Sequence, residues 1–379
     1  MTPHPPLFPR PTRRDALRLL AGAGLLPLSG CATLTGVTLT GPTLTGPTLT
    51  GAAPLGAARA ALLLPLSGAA AALGQNMGRA AGLATQAGPP DQAPRLYDTK
   101  DTVEGAAAAA GQALADGAKV LFGPLRADQT PGVLAVAGKI PVVTFSNDDR
   151  LTAQGAFVMG ITPAQSVSAM FSYAKAQGLT RIALLASDSP LGAASATAAV
   201  QIAQSGRLQL AATLLRDPTK DGLISALRTA SGGTLPQAVF IADGGKPLAR
   251  FAAGLRGSDL QILGSVQWGV SDVAANRDLN RAWFAAPPPD LFQPFADQFQ
   301  AAFGTEPGAV AGLAYDAALV ATGLAKARAL SRKGLVRPAG FIGVLGPFRF
   351  DEDGRCHRSL SILGVEAGRI VALGEVAGT

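Results

Sequence analysis

Between residues 60 and 264, apolar runs of strand length alternate with Ala-rich segments of helical length. No other feature constrains the fold as much. The runs are 60–66, 119–122, 140–145, 181–186, 238–242 and 261–264, and helices are expected over 73–86, 104–115, 163–177, 193–204 and 246–255. The runs are continuously apolar instead of alternating, so both faces of each strand must be covered. That is the pattern of a parallel sheet flanked by helices. The series breaks near residues 160–163 and starts again, which predicts two α/β lobes. Two long helices follow at 293–303 and 312–330, and strands with an Asp353-Gly354 hairpin turn are expected over 346–376. A chain that returns late to both lobes leaves a cleft between them. In open α/β sheets ligands bind beyond the carboxyl ends of the strands.

The N-terminus carries a different signal. Arg10, Arg13, Arg14 and Arg18 precede a short apolar stretch, 16–28, that ends at Leu28-Ser29-Gly30-Cys31. A basic start, an apolar stretch and a small-residue cleavage site make an export signal. The stretch is too short to span a bilayer, which needs about 20 apolar residues. Leu28-Ser29-Gly30-Cys31 resembles the lipobox of bacterial lipoproteins, which implies acylation of Cys31 as the new N-terminus and anchoring to a membrane. Each buried CH2 of such a chain contributes about 0.8 kcal/mol. Residues 12–18 also resemble a twin-arginine signal. Ala32, where an Asp would favour the inner membrane, points to the outer membrane. Residues 33–51 repeat Thr-Leu-Thr-Gly with Pro or Val in the fifth place. This repeat has too little apolar surface to fold alone and reads as a tether, or else a binding segment. With its flanks it would reach at most about 80 Å when extended.

The formal charge is +7, of which the signal supplies four Arg against Asp15, so the mature chain is only mildly basic. Aromatic residues are 5% and no Lys/Arg cluster occurs, which argues against nucleic acid. There are two cysteines; if Cys31 carries lipid, Cys356 has no disulfide partner.

The strand runs and the loops after them bear a family resemblance. Residues 61–68 with Leu73-Gly74-Gln75-Asn76-Met77, then Leu121-Phe122-Gly123-Pro124-Leu125, then 140–146, look like the opening strands of type I periplasmic binding proteins. Residues 299–307, Ala314-Tyr315-Asp316-Ala317 and 346–354 resemble the paired helices and closing strand of the leucine/isoleucine/valine-binding group. The resemblance covers nearly all of 57–376. It implies a two-lobe periplasmic binding protein type I fold, each lobe a parallel-sheet sandwich with helices on both faces. The expected division is a signal over 1–30, a lipidated tether over 31–56, lobe 1 over 57–161 plus 285–335, and lobe 2 over 162–284 plus 336–379.

Family members capture a small amino-acid-like solute for an ABC permease in the periplasm. A similar lipoprotein subgroup, which Asp98-Thr99-Lys100-Asp101 and the tether resemble, activates class A penicillin-binding proteins by contact. Carried onto this chain, the resemblance places ligand contacts at Arg126, Asp128 and Thr130 after the Gly123 strand, where Asp128 would repel a carboxylate if it pointed inward. It places others at Ser146, Asn147 and Asp148, where an N-capping turn is the alternative. In lobe 2 it places Asp188, with Leu191 where the family has an aromatic residue, then Asp243, Gln267 and Trp268. Trp268 is expected either as a cleft wall or as a packed core residue.

Catalytic motifs carry little weight. The histidines are His4, inside the signal, and His357, beside Cys356 in an expected strand where neighbours face opposite ways. Ser172-Tyr173-Ala174-Lys175 matches Ser-x-x-Lys, but no Lys-Thr-Gly follows. No phosphate-binding Gly-x-x-x-x-Gly-Lys loop occurs. A non-enzyme without metal or cofactor is expected.

Overall fold

The computed structural model describes residues 59–378 except 207, 218–220 and 271. The signal, Cys31 and the repeat lie outside the described residues. The first lobe contains a 5-stranded parallel sheet of order β2-β1-β3-β4-β5. Its strands are β1 (Arg59–Leu64), β2 (Arg95–Asp98), β3 (Ala118–Phe122), β4 (Val142–Thr144) and β5 (Phe157–Val158), with helices α1 (Ala71–Thr85), α2 (Val103–Ala115) and α3 (Thr130–Ala137) between them. All of β1 is buried, and alternate residues divide between the faces. Leu62 and Leu64 pack with Met77 of α1, while Ala61 and Leu63 pack with Ala106 and Ala110 of α2.

The chain then crosses to the second lobe through α4 (Pro163–Ala176). Thr162 caps it: its hydroxyl accepts from Gln165 N at 3.2 Å and its own N–H donates to the Gln165 side chain at 2.9 Å. Pro163 follows at the first helical position, where its missing N–H costs nothing. The second lobe runs β6 (Arg181–Ala186), α5 (Pro190–Gly206), β7 (Gln209–Leu215), α6 (Leu223–Ala230), β8 (Ala238–Ile241), α7 (Gly245–Gly254), β9 (Gln261–Gly264) and β10 (Trp283–Ala286). Back in the first lobe come α8 (Pro289–Phe303), α9 (Gly308–Lys326) and α10 (Arg332–Leu335), then β11 (Phe341–Gly343), β12 (Gly346–Phe350) and β13 (Cys356–Arg358). The last strands, β14 (Leu360–Glu366) and β15 (Arg369–Val376), complete a 7-stranded sheet of order β15-β14-β10-β9-β8-β6-β7. That sheet is parallel except for β14 and β15, which pair antiparallel. The described residues form one compact unit that includes both lobes.

Two expected boundaries move. β10 pairs with β9 and β14, so the second crossover falls at 287–288, a few residues later than expected. Residues 336–358, assigned to lobe 2 from sequence, pack on lobe 1 instead. Phe341, Phe348, Phe350 and Cys356 join the core of β1, α1 and α9, and the Phe350 ring lies 5.5 Å from Phe157 at the sheet edge. The antiparallel sheet β11-β12-β13 has one apolar face, which is buried against the first-lobe core beside the edge strand β5. Only β14 and β15 reach lobe 2. Among the described residues, α9 alone is long and apolar enough to cross a membrane, yet it is a core helix with Ala314, Ala317, Ala318 and Ala321 fully buried.

Candidate functional site

The strand-end loops hold the candidate residues. After β3, a cis Gly123-Pro124 peptide leads into Arg126-Ala127-Asp128. The Arg126 guanidinium grips Asp128 with two bonds of 3.1 Å, both residues half exposed. This hydrogen-bonded pairing holds the Asp128 carboxyl below its usual range. The expected repulsion of a ligand carboxylate by Asp128 is therefore cancelled locally, and so is the attraction by Arg126. Thr130 is fully buried; its hydroxyl bonds to Arg126 O at 3.2 Å and to the Thr144 hydroxyl at 3.0 Å. It braces the loop from below and does not face a cleft.

After β4, the buried Ser146 hydroxyl accepts from Asp148 N at 3.1 Å. Asp148 accepts from Arg150 N at 3.1 Å and binds its guanidinium at 2.8 and 2.7 Å. Those bonds hold its carboxyl below the usual range despite partial burial. The loop is thus the N-capping turn that Ser and Asp favour. Asn147 is exposed and makes no hydrogen bond among the described residues.

In the second lobe Asp188 is exposed and unbonded among the described residues, with Leu191 half-buried behind it. Asp243 is buried and accepts from Ser187 N at 2.8 Å, which joins the loops after β6 and β8. The Ser265 hydroxyl donates to Ala242 O at 2.6 Å and accepts from Gln267 N at 3.1 Å, which joins the loops after β8 and β9. Gln267 is half-buried. Trp268 is fully buried, stacks on Phe284 with ring centroids 5.6 Å apart, and donates from Nε1 to Ile241 O at 3.3 Å. Of its two expected places the structure gives the core, because Gly264 leaves room for the ring beneath β9.

The turn Val266–Val270 after β9 comes within 8 Å, Cα to Cα, of α9 in the first lobe. The carboxyl end of the second sheet thus faces the first lobe. Cavities of about 490 and 540 Å³ lie elsewhere, one at the start of α7 beside Lys246 and Asp272, the other beside Arg337 and Arg349 of β12. Neither is lined by a candidate residue.

Sequence reasoning missed Asp98, which accepts from Ser67 N at 3.1 Å, the Ser67 hydroxyl at 2.6 Å and Lys100 N at 2.8 Å. Burial opposes ionisation there, but these donors prevail and hold its carboxyl below the usual range. It ties the loops after β1 and β2 together. Its signal lies in Asp98-Thr99-Lys100-Asp101, where Asp next to a polar loop favours side-chain bonds to nearby backbone N–H groups.

No group of three or more His, Cys, Asp and Glu side chains suited to a metal occurs among the described residues. Cys356 faces the core, whereas His357 faces the other way and lies 2.6 Å from Asp351. Lys175 donates to Gly206 O at 2.8 Å, at the end of α5.

The family model described as periplasmic binding protein matches residues 58–369. The chain belongs to this family. Membership implies a periplasmic location, and the fold is the two-lobe type I fold. No curated protein matches in sequence. Among solved structures, a branched chain amino acid ABC transporter periplasmic ligand-binding protein from Burkholderia xenovorans is similar at 15% identity and TM-score 0.68, over 85% of this chain and 96% of that one. The substrate binding protein LivJ from Streptococcus pneumoniae, in complex with isoleucine, is 19% identical with TM-score 0.61, over 85% of this chain and all of that one. Full-length LpoA from Haemophilus influenzae is 18% identical with TM-score 0.66, over 84% of this chain but 59% of that one. At these identities the likeness is one of fold.

Proposed function

We propose that this periplasmic binding protein is a lipid-anchored solute-binding protein, held by Cys31, that captures a small amino-acid-like ligand by hinge closure and delivers it to an ABC permease. The observation that carries this reading is the architecture: two α/β sheets joined by three crossovers, with the carboxyl end of one facing the other lobe. A ligand that touches both lobes only when they close shifts the population toward the closed form. Among the candidate residues, Asn147 in the first lobe and Asp188 and Gln267 in the second keep polar side chains without a hydrogen bond to the described residues, and Asp188 suits an ammonium group. Backbone N–H groups of the loop after β3 suit a carboxylate.

One observation favours a second reading, a non-catalytic activator of a class A penicillin-binding protein. Arg126 and Asp128 satisfy each other, as do Asp148 and Arg150, and Trp268 offers no wall. A cleft with its charges so paired has less to offer a charged solute.

Thermal unfolding of residues 52–379 against amino acids, short peptides and peptidoglycan fragments separates the two. A ligand at 100 times its dissociation constant stabilises by about 2.7 kcal/mol. A selective upward shift that is lost in Asp188→Ala supports solute capture. No shift across the panel, with retention of a penicillin-binding protein on the immobilised chain, supports the activator.

A further inference from the structure

One buried guanidinium touches the first crossover and adjoins the third, and its acceptor Gly346 lies beside the second. Arg358 ends β13, directly before the third crossover, and its side chain is fully buried. Its Nη2 donates to Met159 O, in the first crossover, at 3.4 Å. Its Nη1 donates to Gly346 O at 3.4 Å, and a Cβ on Gly346 would stand 3.1 Å from Pro288 in the second crossover. The same Nη1 reaches the Asp316 carboxylate of α9 at 3.3 Å. The guanidinium lies 4.4 Å from the centre of the Phe348 ring. Nearby, the Gln165 side chain at the start of α4 donates to Cys356 O at 2.6 Å, a second tie between the lobes.

The two members of the ion pair are held differently. Asp316 is fixed, since it accepts from Val344 N at 2.6 Å and from Leu345 N at 3.4 Å, and a Cβ on Gly343 would fall within 2.3 Å of its carboxylate. Arg358 makes only long bonds of 3.3 to 3.4 Å, and its Nε has no partner among the described residues. N–H···O bonds are commonest near 2.9 to 3.0 Å, so none of these contacts locks the fork. Phe348 attracts the cation through its whole face and sets no single direction. A buried cation has to keep an anion near it. Arg358 is therefore confined to the neighbourhood of Asp316 but not to one orientation there.

The geometry points to a pivot: Asp316 is a fixed post in the first lobe, and Arg358 is the movable cation that follows the crossovers and sets the resting angle between the lobes. This rests on the hinged two-lobe fold, not on what the cleft holds. The shared guanidinium exchanges one long acceptor for another as the crossovers shift, so the lobes move without exposing or orphaning the charge. Both are positioning residues; neither lies among the strand-end loops.

The test is the distance between spin labels in the two lobes, measured by pulsed electron paramagnetic resonance. The full chain carries Cys31→Ser, with labels at Gln112→Cys on α2 and Gln201→Cys on α5; Cys356 is buried and stays unlabelled. Arg358→Lys keeps the charge but lacks the fork, and Asp316→Asn keeps the shape but lacks the charge. Either folded variant should broaden the distribution, or move its mean by more than about 2 Å, the size that separates rearrangement from rigid behaviour. If neither folds, Asp316→Leu with Arg358→Met leaves no unpaired charge and is read in the same way. A folded variant with the parent's distribution overturns the proposal. So does failure of all three to fold, because the pair would then be a folding requirement. Ligand panels do not enter this experiment, so a failed solute reading and a failed pivot are told apart.

Discussion

The indole of Trp268 lies against Gly264: a Cβ on that glycine would come within 2.2 Å of the ring. The indole also stacks on Phe284 within the core formed by Leu185, Val239, Ile241 and Phe251. Trp268→Ala should therefore cost about 3–5 kcal/mol, the range for truncating a large buried aromatic. Gly264→Ala should destabilise by about 1–3 kcal/mol through overpacking. Urea unfolding followed by circular dichroism measures both. A loss below about 1 kcal/mol for Trp268→Ala would mean the ring is not a core member, and the cleft-wall role would return.

Thr162 and Gln165 do two jobs at the first crossover. They cap α4 reciprocally, and Gln165 also reaches Cys356 O. Thr162→Ala should cost about 1 kcal/mol, the usual worth of an N-cap. Gln165→Ala should cost more, because it removes the cap's second bond and leaves a carbonyl without its donor. Thermal denaturation of the two variants ranks them; the reverse order would sink this account.

The Cys356 thiol is deep in the first-lobe core, and burial pushes it up to about 11, with Arg358 opposing. The thiolate is the reactive form. In a chain starting at residue 52 it is the sole thiol. It should stay silent to a disulfide reagent at pH 8 in the native state and react fully in denaturant. Rapid native labelling would show that the β11–β13 sheet opens readily from the core.

Much of the fold was legible because both-face burial leaves a plain mark. β1, β3, β6 and β8 read as apolar runs since nearly every residue in them is covered. The edge strand β2, Arg95-Leu96-Tyr97-Asp98, is only half-buried and its sequence does not stand out. The β11–β13 sheet was misplaced because Phe341, Phe348 and Phe350 show that a face is buried but not against which lobe. At the site, the residue types were right for strand-end loops, yet their pairing could not be read. Arg126 and Asp128 are two residues apart, as are Asp148 and Arg150, and such neighbours satisfy each other only if the turn brings the side chains round. The pivot was invisible as a pair, because Asp316 and Arg358 are 42 positions apart. One half did leave a trace: Asp316 is the sole acid in α9, a helix otherwise apolar or small up to its final Lys326.

That lone acid has a pH signature of its own. Burial pushes the Asp316 carboxyl up to about 6, against the Arg358 charge and the N–H donors of Val344 and Leu345. In the unfolded chain it titrates near 3.9. Between these values the native state binds more protons than the unfolded state, so this group's contribution to stability falls as pH rises from about 4 to about 6, then levels off. The arginine-paired carboxyls of Asp128, Asp148, Asp278 and Asp353 are shifted the other way, by hydrogen bonds from their partners. Their contribution is present above the unfolded value and is lost as pH falls through their depressed native values, below the Asp316 window. Asp316→Asn removes one titration and leaves the others. The variant should be less stable overall, since it weakens a buried pair. Its stability should also lack the decline between pH 4 and 6 seen as a difference between parent and variant in urea unfolding across pH 4 to 7. Parallel curves over that range would mean that Asp316 titrates as an ordinary carboxylate, with Arg358 offsetting the whole cost of its burial.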